Sequence, residues 1–377
     1  MTLELDFSKE REPLIEYPWY KEVDHLLEWV SDKDAHYKSF CFDLVMSLAY
    51  IDAISGLERL MEFCDNCPDN FNAHIGFINL CCPCYEAIGK WSYQKAAKPQ
   101  SGALGKLSSE LILRFILKLS NNLKTVLAIG GTEAADAILI HKDGTKILAE
   151  VKSAPLITYP VLFEFENNKN HESHEKVIIT ASQLKQCQSA IYLHNQQYIP
   201  LGMPSHELWP FKQTIDYIVN PANSSSVFSF VQTWLNARDA YIKRDKNQEL
   251  YYLANASGNP PKIAKTRDGW PRKESISDSK TSAGMDRTDD IKKGIYQVLK
   301  IGSSIRKETQ FKTAIISNLP AYRHGKEYVE PFVDMLWGIE ADVEQMNGVA
   351  SISRDKLRQV FDFIITIEEP VLRGFEL

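Results

Sequence analysis

Asp136, Glu150 and Lys152 have the types and spacing needed for metal-assisted hydrolysis in this 377-residue chain. They lie in Asp136-Ala-Ile-Leu-Ile-His-Lys-Asp-Gly-Thr-Lys-Ile-Leu-Ala-Glu150-Val-Lys152, where Asp143-Gly144 marks a tight turn between two apolar runs. The register of that hairpin determines what the three can do. A two-residue loop, Asp143-Gly144, sets Asp136 opposite Val151, on the face away from Glu150. A three-residue loop, Lys142-Asp143-Gly144 with Gly144 left-handed, sets Asp136 directly opposite Glu150. Cross-strand partners share a face, with Cβ atoms about 4.5–5.5 Å apart. Lys152, two residues on, points the same way. In that register two carboxylates can hold Mg²⁺, which prefers oxygen ligands and keeps several waters. Such an ion polarises a phosphodiester and lowers the pKa of a bound water. The lysine can orient that water and stabilise charge developing on the phosphate. The simpler account is a set of solvated ion pairs on a surface hairpin. It fits poorly with charges at the end of the apolar strand Ile147-Leu148-Ala149, where charge is costly unless used.

The elements that must position these residues are legible in outline. Apolar residues at helical spacing predict a buried helix from about Lys38 to Phe63. After the loop Pro99–Gly105, Ser108 caps a helix predicted to run to about Ser120, with Leu111, Phe115 and Leu119 on one face. Strands are predicted over Val126–Ile129, Ala137–Ile140 and Lys146–Lys152. Helices follow over Ala181–Leu193 and Val227–Lys243. The stretch Asn255–Arg287, rich in Gly, Pro, Ser, Lys and Arg, reads as a long loop. Thr288 then caps a helix, Asp289–Lys300, before a strand over Lys312–Ser317. Helices alternating with short strands indicate an α/β or α+β protein.

Asp136, thirteen residues, then Glu150-Val-Lys152 resembles the PD-(D/E)XK nuclease superfamily, which includes most type II restriction endonucleases. The resemblance covers roughly Lys106–Gly202, and Ala135 stands where proline is usual. It implies a restriction-endonuclease-like mixed sheet flanked by helices. By the same resemblance Asp136, Glu150 and the Val151 carbonyl hold catalytic Mg²⁺, and Lys152 is the catalytic lysine. Many members add an acid on the helix before the first strand. Glu110 is the candidate, although an i,i+4 pair with Arg114 accounts for it more simply. A second match, Asp290-Ile-Lys292, opens a helix with no hairpin to bring another acid beside it. Acids there are expected from the helix dipole, so it is rejected as the metal site.

Five of the seven cysteines lie between Cys64 and Cys84. Cys64-Asp-Asn-Cys67 and Cys81-Cys-Pro-Cys84 are two CxxC pairs thirteen residues apart. Each pair can bite one ion, and together they complete a tetrahedral, structural Zn²⁺ site. Buried thiols rarely give paired CxxC spacing by chance. Some relatives of the nuclease fold carry an iron–sulfur cluster, with one cysteine before the core and three after. Here all four precede it, which favours zinc.

A basic stretch holds Lys265, Arg267, Arg272, Lys273, Lys280 and Arg287, interleaved with Trp270. It is the candidate DNA-binding loop, able to neutralise phosphates or enter a groove. A plain solvated loop is the alternative. The net charge of −6 excludes a histone-like coating protein but not a local basic face. The N-terminus Met-Thr-Leu-Glu-Leu-Asp-Phe has no signal-peptide pattern, and no window reaches the roughly 20 apolar residues of a membrane span. A cytoplasmic, bacterial protein away from membranes is expected.

The organisation expected is a helical zinc-binding region over 1–100, a nuclease core over 101–202, and an α/β region over 203–377. That last region carries the basic loop and can complete the core. The resulting expectation is an endonuclease acting on double-stranded DNA, of the type II restriction kind, with palindromic recognition implying a homodimer. Two alternatives stand beside it: a repair, recombination or defence nuclease of the same core, and a zinc-dependent DNA-binding protein whose acidic hairpin is inert.

Overall fold

The computed structural model describes residues 11, 13–56, 59–62, 73–75, 101–129, 135–157, 159, 161–164, 176–193, 197–244, 283–286, 288–304 and 311–368. It is a mixed α/β structure that divides into two compact units, each assembled from distant parts of the chain. The first comprises Met1–Ile15, Ser108–Ala154 and Ala283–Leu377; the second comprises Glu16–Leu107 and Pro155–Ser282. This division differs from the three consecutive segments expected along the sequence. The segment after the acidic hairpin belongs to the second unit, and the chain re-enters the first unit at Ala283.

The first unit is built on a five-stranded sheet. Helix α1 (Ser101–Leu119) leads into β1 (Leu123–Ala128), β2 (Ala137–His141) and β3 (Lys146–Val151). Helix α2 (Thr288–Ser304), β4 (Phe311–Ser317) and β5 (Phe363–Thr366) complete it. The order across the sheet is β5-β4-β3-β2-β1. β1, β2 and β3 form an antiparallel meander, whereas β3, β4 and β5 run parallel. Ile147, Leu148, Ala149, Glu150 and Val151 are all buried. Burial on both faces explains why this strand reads as a continuous apolar run rather than an alternating one.

On the face that carries Ile315, α2 presses Ile295 and Val298 against Ile315 and Ile364, with Met285, Val360 and Phe361 closing the cluster. Burying each such aliphatic side chain stabilises by about 1.5–3 kcal/mol. Gly294 brings α2 especially close: a Cβ there would stand 2.7 Å from Ile315 Cδ1 and 3.9 Å from Glu150 Cγ. Further along the sheet, Ile138 and Leu148 pack with Ala135, Leu127, Ile129 and Ile140.

The second unit combines helices Tyr20–Val30, Ala35–Ile54, Phe211–Val219 and Ser224–Lys243 with a four-stranded antiparallel sheet. The strands of that sheet, in spatial order, are Ala73–Ile75, Val161–Phe163, Ser189–Tyr192 and Tyr198–Gly202. Asp43, on the helix Ala35–Ile54, is buried. Its Oδ1 accepts from the Leu156 N–H (3.2 Å), and its Oδ2 accepts from the Ile157 N–H (2.9 Å) and the Trp234 indole N–H (2.8 Å). One carboxylate thus ties two long helices to the segment that follows the first unit's Ala154.

Two predicted helices differ from what forms. The helix predicted over Lys38–Phe63 ends at Ile54, and Arg59–Glu62 is a strand pairing with Lys176–Ile179. The helix predicted over Ala181–Leu193 is a single capped turn, Ala181–Leu184, followed by the strand Ser189–Tyr192. No helix among the described residues is long and apolar enough to cross a membrane.

Candidate functional site

The hairpin register is the three-residue one. Ala137 pairs with Ala149, Ile138 with Leu148, Leu139 with Ile147 and Ile140 with Lys146. His141 N–H donates to the Thr145 carbonyl at 2.9 Å, leaving Lys142, Asp143 and Gly144 as the loop. Gly144 has φ +90°, and nothing lies within 4 Å of a Cβ built there. The cost of a side chain at this point is therefore backbone strain rather than collision. Gly144→Val is expected to lower stability by about 1 kcal/mol or more. Any activity that needs Asp136 and Glu150 on one face should fall by more than that loss of folded protein explains, because a one-residue slip turns each strand side chain to the opposite face. Thermal melts and activity assays on the same preparation separate the two effects.

Extending the ladder by one position sets Asp136 beside Glu150. Asp136 N–H donates to the Ala149 carbonyl at 2.9 Å, and Val151 N–H donates to Asp136 Oδ2 at 2.8 Å, which fixes the carboxylate. Lys152 Nζ lies 2.5 Å from Glu150 Oε1, 3.2 Å from the Val151 carbonyl oxygen and 3.9 Å from Asp136 Oδ2. Three residues fourteen and two positions apart in sequence thus converge at the end of β3. The side chain of Asp136 is 42% exposed, those of Lys152 and Glu150 only 19% and 6%. The group is open on the Asp136 side and closed on the Glu150 side.

The exit of β3 is clamped from several directions. Lys152 N–H donates to the Ile316 carbonyl at 2.8 Å, continuing the pairing with β4. Asn318, itself buried, accepts from the Ala154 N–H through Oδ1 (3.1 Å) and donates from Nδ2 to the Ala154 carbonyl (2.8 Å). Ser108 of α1 bonds Ser153 at both its carbonyl and its hydroxyl. The Lys152 backbone is therefore held between fixed neighbours, which leaves its side chain as the adjustable part. Asn318 and Gly294 are not among the residues the sequence points to, and Ser108, expected as a helix cap, lies inside α1. Only Gly294 left a trace, as a glycine in the middle of an amphipathic helix.

Burial, reinforced by the nearby Asp136 charge, pushes the Glu150 carboxyl up to about 7, against the opposing pull of Lys152. A carboxyl raised in the folded state favours folding when protonated. That contribution is complete below the ordinary range near 4.5 and is lost as pH rises through about 7. Glu150→Gln carries no such penalty. In a divalent-free buffer it is expected to be more stable than wild type above neutrality by about 3 kcal/mol, with the gain vanishing toward pH 5. Chemical denaturation at the two pH values checks this.

The donor set suits a hard cation: two carboxylates and a backbone carbonyl are oxygen ligands of the kind Mg²⁺ takes. The ammonium of Lys152 already sits among them as a stand-in cation. Other predicted site residues are placed differently. Glu110 is buried on α1. Among the described residues no group of three or more His, Cys, Asp or Glu is arranged to hold a metal, so Glu110 does not form a triad with Asp136 and Glu150. Asp290 and Lys292 lie within α2 and not on a strand. Cys64, Cys67, Cys81 and Cys84, and the basic residues Lys265, Arg267, Arg272, Lys273, Lys280 and Arg287, lie outside the described residues.

No family model matches the chain, and no curated protein or solved structure matches it either.

Proposed function

We propose that this chain is a Mg²⁺-dependent endonuclease of the PD-(D/E)XK type, hydrolysing phosphodiester bonds in double-stranded DNA. One observation carries the reading. Asp136, Glu150 and Lys152 share a site at the end of β3, in the single hairpin register that permits it. The mixed sheet, with helix, meander, second helix and returning parallel strand in chain order, agrees with the restriction-endonuclease-like architecture that the motif implies.

Each residue has a distinct role in this reading. Asp136 and Glu150, with the Val151 carbonyl, are the ligands for Mg²⁺. The bound ion supplies Lewis acidity to the scissile phosphate and acidity to a water. Lys152 contributes a charge-assisted donor aimed at the attacking water or at the charge developing on phosphate oxygens. Asn318 and Ser108 hold the strand exit so that the Lys152 backbone stays in register. The basic stretch over 262–287 is the proposed DNA contact, and Cys64, Cys67, Cys81 and Cys84 are the proposed structural Zn²⁺ ligands. A homodimer of the type II restriction kind would place two such sites on the two strands of a palindrome.

Digestion of plasmid, single-stranded and branched DNA in Mg²⁺ tests the proposal. Discrete fragments from plasmid support the restriction reading. Cutting confined to branched or single-stranded substrates moves the assignment to repair or recombination. DNA that is bound but left intact in Mg²⁺ overturns the enzyme in favour of a binding protein.

A further inference from the structure

The inference concerns how the site is kept in the absence of metal, and it rests on the nuclease reading above. Two acids at the end of a buried strand are costly without a counter-charge. Lys152 provides it. Its ammonium touches Glu150 Oε1 and the Val151 carbonyl and approaches Asp136 Oδ2, at 2.5, 3.2 and 3.9 Å. These are the same three oxygens that suit a divalent ion. A dication bound there meets a like charge at close range, with the surrounding burial weakening the screening between them. Both cations cannot keep the same ligands. The Lys152 main chain cannot move aside, because its N–H is tied to Ile316 and Asn318 anchors Ala154 beyond it. The four-carbon side chain can.

We infer that Lys152 is an exchangeable counter-ion: its ammonium occupies the cation position until a divalent ion enters and drives it off the carboxylates. The lysine is then released for the phosphate only in the metal-loaded site. Loading and activation become one event, and Lys152 costs the protein metal affinity while serving the reaction.

Two measurements on the full chain, without DNA and with Ca²⁺ as probe, test this. The first uses wild-type protein. Acylation of Lys152 by a soluble activated ester, followed by peptide mass spectrometry, should speed up several-fold on adding Ca²⁺, and the increase should disappear in Glu150→Gln. Labelling of Lys152 that is unchanged or slowed by Ca²⁺ overturns the exchange. The second is calorimetric Ca²⁺ titration at about pH 8.5, where the Glu150 carboxyl is ionised. Lys152→Met should bind Ca²⁺ at least about tenfold more tightly than wild type, since the competing charge is gone. Equal or weaker binding by Lys152→Met contradicts the proposal. Absence of Ca²⁺ binding by both proteins instead overturns the metal site itself, and with it the reading on which the exchange rests.

Discussion

Lys152→Ala is expected to reduce DNA cleavage by roughly three orders of magnitude, the scale found when a preorganised charge-stabilising donor is removed. The protein should remain folded. The lysine side chain bonds Glu150 and the Val151 carbonyl at a partly open site, so its loss leaves no core cavity. Single-turnover rates at saturating Mg²⁺ isolate the chemical step from DNA binding. A loss confined to DNA affinity, with an unchanged single-turnover rate, would assign Lys152 to a phosphate contact and not to the reaction. The same comparison on Lys152→Arg separates charge from geometry: an arginine keeps the charge but presents it as a planar fork in place of the compact ammonium that bonds Glu150 and the Val151 carbonyl.

The second large effect is on stability and lies in the other unit. Asp43→Ala should cost about 3–9 kcal/mol, because three buried donors lose their acceptor and each orphaned group costs about 1–3 kcal/mol. The donors are the Leu156 and Ile157 N–H groups and the Trp234 indole. Asp43→Asn keeps one acceptor oxygen but turns an NH₂ toward the remaining donors, so it should fall between alanine and wild type. Urea unfolding followed by Trp fluorescence reports directly, since Trp234 is one of the three partners. An alanine variant within about 1 kcal/mol of wild type would show that water replaces the carboxylate, against the burial of the site.

The hairpin was readable from sequence because its information is local. Asp143-Gly144 between two aliphatic runs marks the turn, and Gly144 is the residue that can take φ +90° there. Turn chemistry alone left two registers open, and the chain takes the three-residue one, which places Asp136 against Glu150. The strand completing the site was not readable in the same way. Lys152 pairs with Ile316, and Ala154 is held by Asn318, 164 positions later. Local periodicity carries no trace of such a partner. The interleaving of the two units has the same origin: the chain leaves the first unit after Ala154 and returns at Ala283. The helix predicted to run past Ile54 was overextended because its residues are buried on every side, so no polar stripe marks an end. In the stretch from Ala181, the Thr180–Gln183 capping box starts a real helical turn. Pairing of Ser189–Tyr192 with strands on both sides then overrides continuation of the helix.

The central claim is that Asp136 and Glu150 make this chain cut DNA through a divalent ion. The most direct test incubates purified wild-type, Asp136→Ala and Glu150→Ala proteins with phage DNA, in Mg²⁺ and in excess EDTA. The site predicts fragmentation by wild type in Mg²⁺ alone, and intact DNA in every other lane. Cutting by wild type in EDTA, or by either alanine variant at a rate near wild type in Mg²⁺, would contradict it.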